Sequence, residues 1–149
     1  RIHTRFPIVL PERIDRGFLE AWSAVPLQKV VVVHANHAQE IDGAVRAAIT
    51  GLRAADTTVL NQSVLLRGIN DRVADLVALS EALFDAGALP YYLHLLDRVA
   101  GAAHFDLPAA TAQRLVADLA AHLPGYLVPR LVREEPGAPA KTVLPPASR

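Results

Sequence analysis

Lys29-Val30-Val31-Val32-Val33 is the stretch that decides the fold. Four consecutive β-branched residues lack the polar and apolar alternation of a strand with one solvent-facing side, so they predict a strand buried on both faces, as in parallel sheets covered by helices. The polar group His34 to His37 follows directly. Residues 38–55 then place apolar side chains at helical spacing and predict a long helix. This pairing of a buried strand with a helix is typical of α/β proteins.

The same unit recurs on both sides of this stretch. The pattern predicts further extended segments at residues 1–5, 57–60, 91–96 and 126–131. It predicts further helices from the N-cap Asp15 to Pro26, over 71–85, and from Pro108 to about residue 122. Strands that alternate with amphipathic helices favour a parallel sheet with right-handed crossovers. We expect an apolar turn at residues 6–10 and a disordered tail at 145–149.

Composition narrows the classes of function. The chain has 149 residues, 52% of them hydrophobic, which is enough for one domain with a core. Its net charge of zero argues against nucleic acid or an anionic membrane as partner and favours a small molecule. The absence of cysteine excludes a disulfide framework, a thiolate zinc site and an iron–sulfur cluster held by this chain. No apolar run approaches the roughly 20 residues of a membrane span, so we expect a cytoplasmic protein.

Polar side chains follow the predicted strands at one end. They are His34, Asn36 and His37, then Asn61, Gln62 and Ser63, then Asp97, and finally Glu134 and Lys141. Ligands of α/β sheets and barrels bind beyond the carboxyl ends of the strands, so we expect these side chains to face one site. Other interpretations stay open for each group. His34 and His37 could be a metal pair, the amides could only satisfy backbone groups, and Asp97 could cap a helix or pair with Arg98.

Lys141 is one of only two lysines in the chain. It lies in a Pro/Gly/Ala-rich loop that begins at Glu134, whereas Lys29 lies at the mouth of a strand without comparable surroundings. Lysine can lose its proton and form a Schiff base, which arginine cannot. An amine beside the carboxylates Asp97 and Glu134 suits a small cationic substrate and an aldehyde cofactor such as pyridoxal phosphate. The alternative is that Lys141 is a solvated loop residue.

Six stretches together resemble the C-terminal half of the lysine 2,3-aminomutases, which are radical S-adenosylmethionine (SAM) enzymes. They are Arg1–Arg5, His34–Glu40, Asn61–Asp71, Pro90–Tyr92, Gly125–Pro129 and Pro136–Thr142. The resemblance implies a parallel-stranded, partial (β/α)6 TIM-like barrel. Residues 1–133 would carry roughly its last four strands, and residues 134–149 would form the cofactor-lysine loop and a flexible tail.

The resemblance also implies chemistry and residue roles. The family converts L-α-lysine to β-lysine with pyridoxal phosphate, SAM and a 4Fe–4S cluster. Lys141 would be the catalytic residue that holds pyridoxal phosphate as a Schiff base. Asp97 and Glu134 would bind the substrate's amino groups, although the family more often has Asp at the second position. His37 and Gln62 would lie near SAM.

One departure concerns the cluster, whose C-x-x-x-C-x-x-C motif has no counterpart in a chain without cysteine. The chain begins with Arg1 inside a predicted strand, so we expect it to be a fragment without the cluster-binding half, inactive alone. Leu95–Arg98 and Gly101–Phe105 resemble the branch that makes β-lysine for elongation factor P. That branch implies a functional link to the factor and its lysyl ligase. A homo-oligomer is left open.

Three alternatives to this function remain. One is a catabolic lysine 2,3-aminomutase, and another is a pyridoxal phosphate enzyme that needs no cluster. The third is a noncatalytic α/β half-barrel that serves as a binding module.

Overall fold

A computed structural model describes residues 1–97 and 99–147 of the chain. The strands are β1 (Ile2–His3), β2 (Lys29–Val33), β3 (Thr57–Val64), β4 (Leu89–His94), β5 (Arg130–Arg133) and β6 (Thr142–Val143). The α-helices are α1 (Phe6–Val9), α2 (Arg16–Ser23), α3 (Gly43–Ala54), α4 (Val73–Ala86) and α5 (Ala109–Leu119). Short 3-10 turns span Pro11–Arg13, Ala38–Glu40, Ala103–Phe105 and Gly125–Leu127. The suggested Asp97–Arg98 pair and the last two residues of the tail lie outside the described residues.

The six strands form one sheet in chain order. Strands β1 to β5 are parallel, and β6 pairs antiparallel with β5. Consecutive parallel strands joined by right-handed crossovers carry their helices on the same face, as in a barrel, whereas a doubly wound sheet reverses its strand order. The predicted α/β fold, a part of a TIM-like barrel, is confirmed. Five parallel strands are present where the resemblance implied roughly four.

The helices cover one face of the sheet. Val31, Val33 and Val59 pack with α3 and α4 in one buried cluster, and Leu93 and Leu131 pack with α5 in a second cluster. Successive side chains of a strand point to opposite faces. The strand pairing therefore places the intervening residues on the other face, which we call the helix-free face. Its members include His3, Val32, Gln62, Tyr92, His94 and Val132.

Two strand boundaries differ from the prediction in ways that matter for the site. The third strand runs to Val64, so the segment Asn61 to Ser63 lies inside it rather than beyond its end. The sequence pattern stopped at Leu60 because polar residues usually mark the end of a buried strand, but here their side chains are bonded or face a cavity. The fourth strand ends at His94, so Asp97 follows it by three residues.

Helix starts also differ. Residues 38–40 form a separate 3-10 turn, and α3 begins at Gly43 after its N-cap Asp42, whose side chain accepts from the Val45 amide at 2.9 Å. The helix predicted to start at residue 71 begins at Val73, with Arg72 in the N-cap position. The apolar turn expected at residues 6–10 contains α1. Competing caps close together in the sequence shift such boundaries.

The C-terminal part departs from the prediction at three places. Tyr126 belongs to a 3-10 turn, so β5 begins only at Arg130. The sequence analysis did not predict β6, which follows Lys141 directly. In the tail, the Gln113 side chain donates to the Pro145 carbonyl at 2.8 Å and the Ala147 amide donates to the Gln113 carbonyl at 3.1 Å. Residues 145 and 147 therefore have defined partners on α5. Of the helices in residues 1–97 and 99–147, none combines the length and apolar character that a bilayer crossing requires.

Candidate active site

A cavity of about 340 Å³ lies at the carboxyl edge of the sheet. Residues near or beyond the carboxyl ends of the five parallel strands line it, among them Arg5, His34, Gln62, His94, Asp97 and Glu134. The structure thus brings three of the predicted site residues, Gln62, Asp97 and Glu134, to one cavity. This is the place where parallel α/β sheets bind ligands.

A second cavity adjoins the first one, and a third lies at the opposite end of the sheet. One of about 960 Å³ shares Asp97 and Glu134 with the first cavity and continues along Asp106–Ala109 and Glu135–Gly137. The third and largest of these three cavities, of about 1130 Å³, lies at the amino ends of the strands and is lined by Lys29 and Arg53, among others. None of the predicted site residues lines the largest cavity, so size alone does not locate the site.

The Lys141 side chain contacts Glu134, at the other end of the same loop. Its Nζ donates a hydrogen bond to Glu134 Oε1 and lies 5.9 Å from the centre of the Tyr92 ring. The antiparallel pairing of β5 and β6 places Thr142 beside Arg133, which brings the adjoining loop ends together. The Lys141 side chain is only 27% exposed, so it is not a freely solvated loop residue. Its ammonium group lowers the pKa of Glu134, first through the hydrogen bond and then through charge.

Lys29, the second lysine, has different surroundings. It is 8% exposed, and its Nζ lies 3.4 Å from the Trp22 carbonyl oxygen at the amino end of β2. Lys29 and Lys141 are therefore at opposite ends of the sheet, and only Lys141 has a carboxylate and an aromatic ring beside its amine.

The polar segment of β3 divides between the two faces. On the covered face, Asn61 Oδ1 accepts from the Ala35 amide at 2.8 Å, and Asn61 Nδ2 donates to the Ala35 carbonyl at 3.1 Å. Ser63 Oγ donates to the same carbonyl at 2.8 Å. For the amide of Asn61 the alternative interpretation is therefore correct, since it satisfies backbone groups, and the Ser63 hydroxyl does the same. Gln62 alone turns to the helix-free face.

Three buried side-chain atoms among residues 1–97 and 99–147 have no hydrogen-bond partner. They are His34 Nε2, Gln62 Oε1 and His94 Nε2. All three residues line the 340 Å³ cavity. Gln62 also lies near His3 and acts to raise the pKa of the His3 imidazole, although the geometry between the two side chains is not that of a hydrogen bond. Since a buried polar atom without a partner costs about 1–3 kcal/mol, such atoms are expected where a ligand binds.

Burial keeps the imidazoles of the site neutral. It is the main cause that lowers the pKa of His34 and of His94. For His94 the charge of Lys141 acts in the same direction, while Glu134 and Asp97 oppose it. The pKa of His3 is also lowered, mainly by burial and by the neighbouring Arg1. At neutral pH these rings can therefore accept hydrogen bonds.

Tyr92 and His94 are site residues that the sequence analysis did not single out. Between Asn61 and Gln62 the pairing of β3 with β4 shifts by one residue, which leaves Tyr91 as an extra residue next to Tyr92. Their hydroxyls are 3.0 Å apart, and this hydrogen bond is the main cause that raises the pKa of Tyr92. The His94 and Tyr92 rings form a T-shaped contact with 5.9 Å between their centroids. The alternation Tyr92, Leu93, His94 could have indicated that the two polar rings share a face.

His37 is not brought to this cavity. Its Nδ1 accepts from the Gln39 amide at 3.2 Å, and it caps the turn that Glu40 closes from the other side. The predicted contact of His37 with SAM therefore finds no support in its position and stays a prediction. The described part of the chain also holds no group of three or more His, Cys, Asp or Glu side chains arranged to bind a metal ion.

Comparisons with known proteins give one consistent result. No family model matches the chain. The chain is 50% identical over 144 residues to L-lysine 2,3-aminomutase of Escherichia coli strain K12, a match that covers 97% of this chain and 42% of that protein. It is 48% identical over 143 residues to L-lysine 2,3-aminomutase of Haemophilus influenzae, which covers 96% of this chain and 42% of that protein. The chain thus spans about two fifths of the length of these relatives.

A solved structure supports the same fold. The crystal structure of a radical SAM methyltransferase from Sphaerobacter thermophilus matches with a TM-score of 0.59 at 18% identity, over 78% of this chain and 37% of that chain. At this identity the likeness concerns the fold alone. The resemblance to lysine 2,3-aminomutases inferred from the sequence is confirmed over nearly the whole chain.

Proposed function

We propose, from the premise that this chain is related over nearly its whole length to the L-lysine 2,3-aminomutases, that the polypeptide carrying it converts L-α-lysine to β-lysine. The observation that carries the proposal is the pairing of Lys141 with Glu134 at the edge of a cavity that Asp97 shares. An amine that can form a Schiff base and two carboxylates that can bind ammonium groups are the parts that such a reaction needs.

Pyridoxal phosphate fits the residues present at Lys141. Of the two lysines, only Lys141 lies at the carboxyl edge of the sheet, beside Tyr92 and Glu134. Lys141 would hold the cofactor through its amine. When bound, the cofactor supplies a conjugated aldehyde through which an amino nitrogen can migrate.

Of the two groups that generate the radical, SAM and the 4Fe–4S cluster, only SAM has a candidate contact residue in this chain. Gln62 presents a buried, unpaired amide oxygen to the cavity and could contact SAM, whereas His37 is held in its own turn. A 4Fe–4S cluster does not fit this chain, because the chain has no cysteine. Its ligands would have to come from residues outside the 149 in this chain.

The chain's own contribution is to bind and orient lysine. Glu134 already binds a primary ammonium group, that of Lys141, which is the interaction it would make with a lysine substrate. Asp97 lines the same two cavities as Glu134 and would bind the second amino group. Holding both amino groups fixes the carbon skeleton between them relative to the cofactor, and this positioning is the main role of the protein in a radical rearrangement.

The finer assignment is to the EpmB type, which supplies β-lysine for elongation factor P. It is supported by the resemblance of residues 95–97 and of Gly101–Phe105 to that branch. A cytoplasmic location, a functional link to the lysyl ligase of the factor, and a homo-oligomer belong to the same proposal.

Anaerobic reconstitution of the complete polypeptide tests the proposal. The protein is supplied with iron, sulfide, SAM and pyridoxal phosphate, and β-lysine is measured. We expect Lys141→Ala to lower kcat/KM on the order of a thousandfold or more, and Lys29→Arg to have little effect. An upstream sequence without the three-cysteine motif would favour a noncatalytic module, and turnover without the cluster would favour a pyridoxal phosphate enzyme of another kind.

A further inference from the structure

His94 is a buried residue at the centre of the site that has no role so far. It ends β4 on the helix-free face, beside Val64 of β3 and Val132 of β5, and only 7% of it is exposed. Its position at the end of β4 and the T-shaped contact with Tyr92 hold its ring in place. Its Nε2 is buried without a partner and its side chain lines the 340 Å³ cavity.

The two ring nitrogens have different surroundings. Nδ1 lies 4.0 Å from Glu134 Oε1, so a proton on Nδ1 would point toward that carboxylate. In this tautomer Nε2 carries a lone pair and can only accept a hydrogen bond. The charged and titratable groups that face His94 are Lys141, Glu134, Asp97 and His34. Burial and Lys141 outweigh the two carboxylates and keep the ring neutral.

The groups around the cavity favour a ligand that donates hydrogen bonds. Its lining combines the carboxylates of Asp97 and Glu134 with the unpaired oxygen of Gln62. Arg5, the basic residue among the lining residues, is paired with Glu40 at 3.3 Å. An ammonium group has three N–H donors and needs three acceptors when it is buried. The two oxygens of the Asp97 carboxylate and Nε2 of a neutral His94 supply three.

We infer that His94 is a third recognition residue of the site: its Nε2 accepts a hydrogen bond from the side-chain ammonium group of the substrate, which Asp97 also binds, while Glu134 faces Nδ1 on the other side of the ring. The inference rests on the proposed function and adds a specificity residue to it. A protonated His94 would repel the ammonium group, so recognition requires the neutral ring.

Equilibrium binding of amino acids to the complete, cofactor-loaded polypeptide tests this inference, with calorimetry as the readout. The ligands are lysine and norleucine, which lacks the side-chain ammonium group. We expect His94→Leu to weaken lysine binding roughly tenfold and to leave norleucine binding unchanged. His94→Gln keeps an acceptor near the position of Nε2 and is expected to restore most of the lysine affinity. Circular dichroism of each variant checks that the fold is intact.

The pH dependence provides a second readout that needs no apolar variant. Lysine affinity of the wild-type protein should fall as the pH drops through the folded pKa of His94, which burial lowers from the ordinary value of about 6.5. The His94→Gln variant should lose this dependence. Equal lysine affinity of wild type and His94→Leu, or an equal loss for lysine and norleucine, would overturn the inference while the proposed function stands. A wild-type protein that does not prefer lysine to norleucine would instead overturn the proposed function.

Discussion

Polar side chains have different surroundings on the two faces of the sheet. On the covered face, Asn61 and Ser63 are bonded to the backbone of Ala35. On the helix-free face, Gln62 and His94 keep buried polar atoms without partners. Residues adjacent in sequence therefore either bond to the backbone or face the cavity, because a strand turns successive side chains to opposite faces.

Among the substitutions that test this difference between the two faces, the one at Asn61 is expected to change stability most. Replacing it with alanine leaves both the amide and the carbonyl of Ala35 without their side-chain partner in a buried place. We expect Asn61→Ala to lower the free energy of unfolding by about 3 kcal/mol. The matched control is Gln62→Ala, expected to change it by less than about 0.5 kcal/mol. Urea denaturation measures both, and equal losses would break the comparison.

A smaller effect is expected at the start of a covering helix. Asp42 caps α3 by accepting from the Val45 amide, so Asp42→Ala should cost about 1 kcal/mol. Asp71→Ala is the control, since Asp71 precedes the N-cap position of α4. We expect the control to change the unfolding free energy by less than about 0.5 kcal/mol. A larger loss for Asp71 than for Asp42 would contradict the helix boundaries.

The helix-free face should make stability depend on pH. The pKa of His3, His34 and His94 is lowered in the folded protein, with burial as the main cause. Below the unfolded value of about 6.5, the unfolded chain therefore binds protons that the folded chain does not. Stability is then complete above about pH 6.5 and falls as the pH decreases toward the folded pKa values. Thermal melts at a series of pH values test this, and a melting temperature that stays constant through this range would contradict it.

The smallest effect on stability is expected for the pair of residues on which the proposed function rests. Glu134 and Lys141 are 52% and 27% exposed, and ion pairs of such exposure contribute about 0–1 kcal/mol. We expect Glu134→Gln to change the unfolding free energy by less than about 0.5 kcal/mol, measured by urea denaturation. A loss comparable to that of Asn61→Ala would mean that Glu134 is mainly structural.

Much of the site was predictable because strand ends are visible in the sequence. Polar residues after buried strands indicated that Gln62, Asp97 and Glu134 would meet, and one cavity contains all three. His37 was grouped with them by sequence proximity, but a local capping contact decides its position. His94 was missed because it lies inside a predicted strand and not among the polar residues that follow one.

The sequence by itself determined the α/β class, the order of buried strands and covering helices, and the presence of a distinctive lysine, because these depend on local hydrophobic patterns and residue types. Only the tertiary structure decided that Asn61 and Gln62 face opposite sides, that an added strand returns Lys141 to Glu134, and that His94 faces the same cavity. Those facts depend on strand register and on pairing between distant segments, which local patterns do not encode.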